Sequence, residues 1–316
     1  MRIVVFAAGA IGSLLGASLA HAGHDVLLVA RADHAAAIRE SGLRITGSLV
    51  ETVALRAETA VPPDFEPEGV LLTAKTFDLP ASAGLLAIEV PSPVPTLLPQ
   101  NGLGVEDPVR ASLAAGGWPD TDRWVVRAVN TIPATFLGPG EVRAAGNGEL
   151  VLGRARGPSA TASRTLVRLF HGTDVPVRIV DDLEREVWRK ALLNAAVNPV
   201  TALHGVPNGR LLEEPYRTES IALLEEALAT ARACGFDFKE KEVRADLDRV
   251  LRATAENRSS MLQDVDRGRR TEIQAISGEI LRRGTAKELD LPATRKAVDA
   301  IRARSPGGAS ARGQPS

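Results

Sequence analysis

The order of apolar and polar positions predicts two kinds of structure, one after the other. Up to about residue 180, short apolar and β-branched runs alternate with amphipathic stretches; from 183 to 303, apolar positions recur at helical spacing and strand patterns are almost absent. The opening "RIVVF", an amphipathic stretch from about 10 to 22 and "DVLLVA" indicate a strand, a helix and a strand. Parallel strands need such crossovers, so we predict an α/β fold with a doubly wound parallel sheet.

The rest of the chain supplies further elements of both kinds. The predicted strands are "LRITG", "ETVALRA", "GVLLTAK", "PTLLPQ", "WVVRAVNT" and "GELVLGR", with helices near 78 to 88, 104 to 115 and 158 to 172. Later helices are predicted at 184 to 203, 216 to 235, 240 to 255, 258 to 283 and 291 to 303. The predicted domains are therefore 1–181 and an all-helical 182–304, followed by a disordered tail, "SPGGASARGQPS", over 305–316.

Composition narrows the class of protein. The chain has 38 basic and 39 acidic residues, and no basic cluster is interleaved with aromatics, so we expect no nucleic-acid partner. The single cysteine, Cys234, excludes an internal disulfide framework. The first 23 residues could be read as a signal peptide, but they run directly into a second strand pattern. We therefore expect a cytoplasmic protein without a membrane segment, metal cluster or nucleophilic triad.

The turn after the first strand has the spacing of a dinucleotide-binding loop. In the pattern G-x-G-x-x-G, the second and third glycines correspond to Gly9 and Gly12, and Ala7 replaces the first. Alanine fits there only if its φ stays negative. The candidate cofactor-binding residues of the loop are Ala7, Ala8, Gly9, Ala10, Ile11 and Gly12. An ordinary small-residue turn is the alternative.

Arg31 at the end of the second strand indicates which dinucleotide would bind. Enzymes that use NAD usually have an acidic residue about 20 residues after the glycines, where it binds the ribose hydroxyls. A guanidinium at this point can pair with a 2′-phosphate instead, which favours NADPH/NADP⁺.

A polar stripe crosses an otherwise apolar helix in "VWRKALLNAAVNPVTAL". Lys190, Asn194 and Asn198 are four residues apart, so they share one helical face. Burying such groups is costly unless partners satisfy them, which predicts either an internal hydrogen-bond network or a ligand. Polar residues at other places add to this set: Lys75 and Asn101 follow predicted strands, and Asn257, Ser260 and Glu272 have spacings that allow one face of a long helix.

Together these segments resemble the ketopantoate reductase (2-dehydropantoate 2-reductase) family. The matching stretches are the N-terminal loop, "QNGLG", "NTIPATFLGPGEV", "WRKALLNAAVNPVTAL", "VPNGRL" and "SSMLQDVDRGRRTEI". The resemblance implies a Rossmann domain, a helical domain with an active site in the cleft between them, and NADPH-dependent reduction of ketopantoate to pantoate in pantothenate synthesis. Ala7, the proline-rich "PSPVPT" at 91 to 96 and the segment after 278 depart from the family pattern.

The resemblance also implies roles for individual residues. Lys190 matches the catalytic lysine and Glu272 the acid that accompanies it. The substrate-binding positions are Asn194, Asn198, Asn208, Asn257 and Ser260, and Lys75, Asn101 and Glu272 match residues near the nicotinamide. A protonated Lys190 could stabilise the growing oxyanion and donate a proton to it, and carboxamides suit the hydroxyl and carboxylate of a 2-keto acid.

Several alternatives stay open at this point. A reductase of another 2-keto acid or ketone would share the same fold. The β-hydroxyacid dehydrogenases also pair a lysine with an asparagine four residues later, although the 260-to-272 segment speaks against them. Acetohydroxyacid isomeroreductase would need a cluster of acidic residues to hold magnesium between helices, and the C-terminal half of the sequence has no convincing set. A non-catalytic NADPH-binding protein is the non-enzymatic alternative. A homodimer is among the assemblies that we consider for this protein.

Overall fold

The computed structural model describes residues 1–304, so the predicted disordered tail lies outside the described residues. The backbone forms two compact units. The first contains Met1–Gln100 and Gly104–Leu183; the second contains Asn101–Leu103 and the described residues from Glu184 to Arg304. The short segment Asn101–Leu103 thus belongs to the second unit, although it follows a strand of the first.

The first unit carries the strands and five α-helices. The strands are β1 (Arg2–Phe6), β2 (Asp25–Val29), β3 (Leu43–Gly47), β4 (Glu51–Val53), β5 (Arg56–Glu58), β6 (Gly69–Leu72), β7 (Thr96–Leu98), β8 (Val125–Asn130), β9 (Ala134–Gly138), β10 (Glu141–Ala144), β11 (Leu150–Gly153) and β12 (Val177–Val180). The helices are α1 (Ala10–His21), α2 (Ala32–Ser41), α3 (Leu79–Glu89), α4 (Glu106–Ala115) and α5 (Ala160–Leu169).

The main sheet has eight strands in the order β12-β11-β8-β7-β6-β1-β2-β5. All neighbouring pairs are parallel except β8 and β11. Strand β1 therefore lies between β2 and β6, the point where the strand order reverses direction. In open α/β sheets, ligands bind beyond the carboxyl ends of the strands at such a point.

Continuous apolar runs form these strands because both faces of the sheet are covered. Ile3 and Val5 of β1 pack with Leu15 of α1 on one face. Val4 and Phe6 pack with residues that include Leu86 of α3 on the other. Strand β7 is only three residues long and begins directly after Pro95, in keeping with the limit that the preceding prolines place on pairing.

A second sheet of four strands, in the order β4-β3-β10-β9, was not predicted. Its β9 and β10 form an antiparallel hairpin whose turn contains Gly140 at φ 72°. Strand β9 is mostly half-buried, so it lacks the alternating or continuous apolar pattern of a strand. Helix α2 was also missed.

The second unit is helical, and the expected fold class is confirmed: a parallel-dominated α/β sheet with a helical C-terminal part. Its helices are α6 (Leu183–His204), α7 (Tyr216–Ala233), α8 (Glu240–Ala253), α9 (Ser260–Asp266), α10 (Glu279–Thr285) and α11 (Pro292–Arg304). Within residues 1–304, no helix combines the length and apolar character needed to cross a membrane.

The predicted long helix from 258 to 283 is wrong. Helix α9 ends at Asp266, Gly268 has φ 59°, and the chain resumes as a wide π-helical turn, Gln274–Gly278, that continues into α10. Apolar spacing predicted continuity here, but a residue with positive φ ends a right-handed helix, and glycine adopts that conformation without a steric cost.

Candidate active site

Polar and small residues of the first unit follow strands at one edge of the main sheet. Strands β1, β2, β6 and β7 are parallel, so the segments after their carboxyl ends share this edge. They contain the loop at 7 to 12, Arg31, Lys75 and Gln100. The structure thus brings the predicted cofactor-binding positions of this unit to one side of the sheet.

Ala7 does not keep the negative φ that the sequence analysis required. Its φ is 60°, in the left-handed region, where the Cβ of a non-glycine residue approaches its own backbone at a cost of roughly 1–2 kcal/mol. Thr73 holds this turn from the end of β6: its hydroxyl donates to the carbonyl oxygens of Phe6 and Ala7, at 3.2 Å each, and its N–H donates to Phe6 O at 2.9 Å. The glycine-like turn therefore forms in spite of the alanine.

The two glycines of the loop have the properties that the fingerprint requires. A Cβ on Gly12 would lie 2.3 Å from Thr73 Oγ1 and 3.0 Å from Val5 Cγ1, so only glycine lets α1 pack this closely. A Cβ on Gly9 would meet nothing within 4 Å in the described part of the chain, which leaves space beside the backbone. The N-cap residue of α1 is Gly9, which has no side chain to cap the first turn. Free N–H groups and open space at a helix N-terminus fit a pyrophosphate.

Arg31 is exposed at the start of α2, where it is the residue before the first helical turn. Its guanidinium carbon lies 6.0 Å from the centroid of the Phe136 ring, which belongs to β9. A cation over an aromatic face is attracted by the ring quadrupole, so Phe136 favours a defined position of the guanidinium.

Gln100 links the ends of β6 and β7. Its Nε2 donates to the carbonyl oxygen of Leu72 and, at 3.2 Å, to that of Ala74, the residue before Lys75. Lys75 is half-buried, and its own carbonyl accepts the N–H of Asp78 at 2.9 Å. The buried amide of Gln100 thus fixes the turn that carries Lys75.

In the second unit, α6 carries the polar stripe as predicted. Lys190 and Asn194 are half-buried and Asn198 is 5% exposed, between buried apolar residues of the same helix. One turn on from Asn198, the fully buried Thr201 hydroxyl bonds to Ser259 Oγ at 2.7 Å. The Ser259 hydroxyl also accepts the N–H of Leu262 and so caps α9. This pair attaches the C-terminal half of α6 to the loop before α9.

Two predicted substrate residues meet beside that loop. The N–H of Asn208 donates to Asn257 O at 2.9 Å, and Asn208 Nδ2 donates to Thr254 Oγ1 at 3.0 Å. Asn208 is 8% exposed, and its Oδ1 is buried with no hydrogen-bond partner among residues 1–304. An unpartnered buried acceptor is costly, so this oxygen is suited to a ligand donor such as a hydroxyl.

Glu272 is also buried, 8% exposed, and its carboxylate accepts a hydrogen bond from Asn101 Nδ2 at 3.3 Å. The backbone holds the two residues together, because Leu103 N–H donates to Ala275 O at 3.0 Å. Between them, Gly102 has φ 89° and approaches Ala275 so closely that a Cβ would lie 2.5 Å from its carbonyl oxygen. The "QNG" motif and the "TEI" motif therefore form one structural feature.

The expectation that Asn257, Ser260 and Glu272 share one face of a single helix is wrong. Asn257 lies in the loop before α9, Ser260 is its exposed first residue, and Glu272 follows the break after α9. The buried serine that contacts α6 is Ser259. Sequence analysis also missed the structural contributions of Thr73 and Gln100, because their hydrogen bonds go to main-chain carbonyls that no motif spacing reports.

Comparison with known proteins gives one family over both units. The model of "Ketopantoate reductase PanE/ApbA" matches residues 3–157, and that of its C-terminal part matches residues 182–305. A 2-dehydropantoate 2-reductase from Archaeoglobus fulgidus is 32% identical over 95% of this chain and 97% of its own length. The 2-dehydropantoate 2-reductase from Salmonella typhimurium is 30% identical over 96% of this chain and 94% of its own length.

Comparison with solved structures gives the same family. The crystal structure of a PanE/ApbA family ketopantoate reductase from Ralstonia eutropha has 31% identity and a TM-score of 0.85, covering 96% of this chain and 98% of its own. A D-mandelate dehydrogenase in complex with NADH and anilino(oxo)acetate has a TM-score of 0.87 over 96% of this chain and 98% of its own. At 22% identity, that likeness concerns the fold alone. By sequence and by structure, the chain belongs to the ketopantoate reductase family.

Proposed function

We propose that this protein is a 2-dehydropantoate 2-reductase, which reduces the C2 ketone of 2-dehydropantoate to the alcohol of pantoate with NADPH. The observation that carries the proposal is the Lys190–Asn194–Asn198 stripe on α6, with the buried Asn208 Oδ1 in the same unit. An ammonium group and several carboxamides form a set that could bind a small hydroxylated keto acid without adding negative charge.

The first unit would hold the cofactor. The N–H groups at the start of α1 and the open space at Gly9 would bind the pyrophosphate, and Arg31 would pair with the 2′-phosphate. Lys75 and Asn101 would contact the nicotinamide end, Lys75 from the turn that Gln100 fixes. When bound, NADPH supplies the hydride for the reduction.

Lys190 would act on the substrate oxygen. Negative charge grows on that oxygen as the carbonyl is reduced, and an ammonium group stabilises it and then donates the proton that completes the alcohol. Asn194 and Asn198 would orient the substrate, and Asn208 Oδ1 would accept its hydroxyl proton. Asn257 and Ser260 stay proposed substrate-binding residues, although Ser260 is exposed.

Glu272 would set the orientation of neighbouring groups. It already accepts the amide of Asn101, and a buried carboxylate also stabilises a nearby ammonium ion. We infer that Glu272 favours the protonated form of Lys190 before each turnover.

The test is NADPH oxidation by the purified protein with 2-dehydropantoate, beside a panel of other 2-keto acids and with NADH as the alternative cofactor. Selective turnover of 2-dehydropantoate with NADPH is expected. Turnover of a different 2-keto acid would reassign the substrate, and cofactor binding without any turnover would indicate a binding protein. Cytoplasmic location and a homodimer remain predictions, which cell fractionation and sedimentation would test.

A further inference from the structure

A buried histidine contacts both the helix after the glycine loop and the Phe136 ring that lies against Arg31, and the proposed chemistry gives it no role. His34, in the first turn of α2, is 1% exposed. Its ring contacts three other segments: the helix after the glycine loop, the strand β9 and the turn of the β9–β10 hairpin. All of these belong to the first unit.

Two hydrogen bonds determine the tautomer of this ring. The N–H of Gly140 donates to Nδ1 at 2.8 Å, so Nδ1 carries a lone pair and no proton. Nε2 lies 3.0 Å from Ser13 Oγ and therefore carries the proton that it donates to this hydroxyl. The neutral ring thus joins α2 to α1 through one nitrogen and to the hairpin through the other.

The hairpin contact extends to Arg31. The Phe136 ring packs edge-on against His34, with centroids 4.9 Å apart, and it also lies under the Arg31 guanidinium at 6.0 Å. Both Phe136 and Gly140 come from "NTIPATFLGPGEV", a family motif to which sequence analysis gave no role. Residues of this motif therefore contact both His34 and the Arg31 guanidinium.

We propose that His34 is a positioning residue for the 2′-phosphate of the cofactor: through Gly140 and Ser13 it holds the start of α2, and with Phe136 it sets the position of Arg31. The inference rests on the proposed preference for NADPH. Because the ring acts through Ser13, Gly140 and Phe136, its removal should affect the phosphate end of the site and leave the rest of the binding surface in place.

Acidification should break the hydrogen bond from the Gly140 N–H to His34 Nδ1. Burial lowers the pKa of His34, Asp33 opposes this, and Arg31 adds to it. Among the described residues, the charges that act on this ring are those two, from its own chain segment. Helix α1 and the hairpin contribute Ser13, Phe136 and the Gly140 backbone. Protonation would place a proton on Nδ1 and break the bond from Gly140. Since the folded protein binds this proton less tightly than the unfolded chain does, the contribution to stability is present above the ordinary histidine pKa and declines below it.

The experiment measures NADPH and NADH dissociation constants by fluorescence titration, together with thermal unfolding of the cofactor-free protein. In His34→Ala we expect the NADPH constant to rise about tenfold and the NADH constant to change less than about twofold, equivalent to about 1.4 kcal/mol at the phosphate. His34→Asn keeps an acceptor near the Nδ1 position and should restore most of the preference. Equal losses for both cofactors, or an unchanged ratio, would overturn the proposal.

A matched control exists at the opposite edge of the sheet. His24 precedes β2 and also bridges two segments, with ring nitrogens 3.3 Å from the N-terminal amine and 2.9 Å from Leu169 O. His24→Ala should lower the thermal stability without changing the NADPH-to-NADH ratio. If His34→Ala fails to fold, Ser13→Ala and His34→Asn decide the question by the same ratio and by the pH dependence.

The pH arm covers about pH 5 to pH 8, where histidine titrates. The 2′-phosphate titrates in this range as well, so the readout is the difference between wild type and His34→Asn. Between about pH 8 and pH 5, the NADPH dissociation constant of the wild type should rise several-fold more than that of His34→Asn. Profiles that coincide would contradict the proposal. Arg31→Ala distinguishes the proposed role of Arg31 from that of His34. If Arg31→Ala leaves the ratio of the NADPH and NADH dissociation constants unchanged, the assignment of Arg31 fails. If Arg31→Ala changes this ratio and His34→Ala does not, the inference about His34 fails.

Discussion

Gly102→Ala should strain or break the contact between the Asn101–Leu103 segment and the turn that carries Glu272. The new Cβ would lie 2.5 Å from the carbonyl oxygen and 2.9 Å from the Cβ of Ala275, and φ at this position is 89°. A main-chain carbonyl cannot rotate away as a side chain can. The mutant must therefore either strain the contact or give up the hydrogen bond from Leu103 N–H to Ala275 O.

The expected cost follows from two terms. Overpacking in a tight contact costs about 1–3 kcal/mol, and a non-glycine residue at positive φ costs about 1–3 kcal/mol. Alanine recovers roughly 0.4–1 kcal/mol because it restricts the unfolded chain. The net loss in the free energy of unfolding is about 1–5 kcal/mol if the contact is kept. If the segment moves away instead, stability falls less and the Asn101–Glu272 hydrogen bond is lost, so kcat/KM falls.

Urea unfolding and steady-state kinetics with the same protein preparations measure both outcomes. Gly84→Ala is the matched control, because a Cβ there meets nothing within 4 Å in the described part of the chain and the residue lies within α3. It should be neutral, or stabilising by up to about 1 kcal/mol. A Gly102→Ala protein with wild-type stability and wild-type kcat/KM would refute the reasoning.

Two other substitutions test the turns that support the site. Ala7→Gly should leave the free energy of unfolding unchanged or raise it by up to about 1 kcal/mol, because relief at φ 60° offsets the greater freedom of glycine in the unfolded chain; a loss of about 1 kcal/mol in denaturant unfolding would show that the turn is not strained. Thr201→Val should cost about 1–2 kcal/mol, because it removes the buried bond to Ser259 Oγ while keeping the volume; a wild-type urea midpoint would show that this bond does not hold α6 to the α9 loop.

The sequence was sufficient to predict the elements whose local pattern and burial agree. Strands β1, β2 and β6 are continuous apolar runs, and α6 shows its buried face and its polar stripe directly. The hairpin β9–β10 could not be predicted in this way because its residues are mostly half-buried, and its support comes from His34, which is distant in sequence. The contact of β9 with α2 exists only in the folded chain.

The sequence supplied candidate site residues but not the geometry that joins them. Motifs gave Asn101 and Glu272 separately, and the structure joins them through Gly102 and Ala275. The break after Asp266 changed the expected alignment of Asn257, Ser260 and Glu272, because helical spacing was extended across Gly268. The positive φ of Ala7 likewise depends on Thr73, a residue 66 positions away, so no local pattern reports it.

The most direct measurement compares Lys190→Ala with the wild-type protein for both kcat with 2-dehydropantoate and NADPH affinity. If the α6 stripe carries the chemistry, kcat should fall by about 10²–10⁴-fold, the usual contribution of a positioned general acid, and the NADPH dissociation constant should stay within about twofold. An unchanged kcat, or a parallel loss of turnover and NADPH binding, would contradict the assignment of Lys190 as the proton donor.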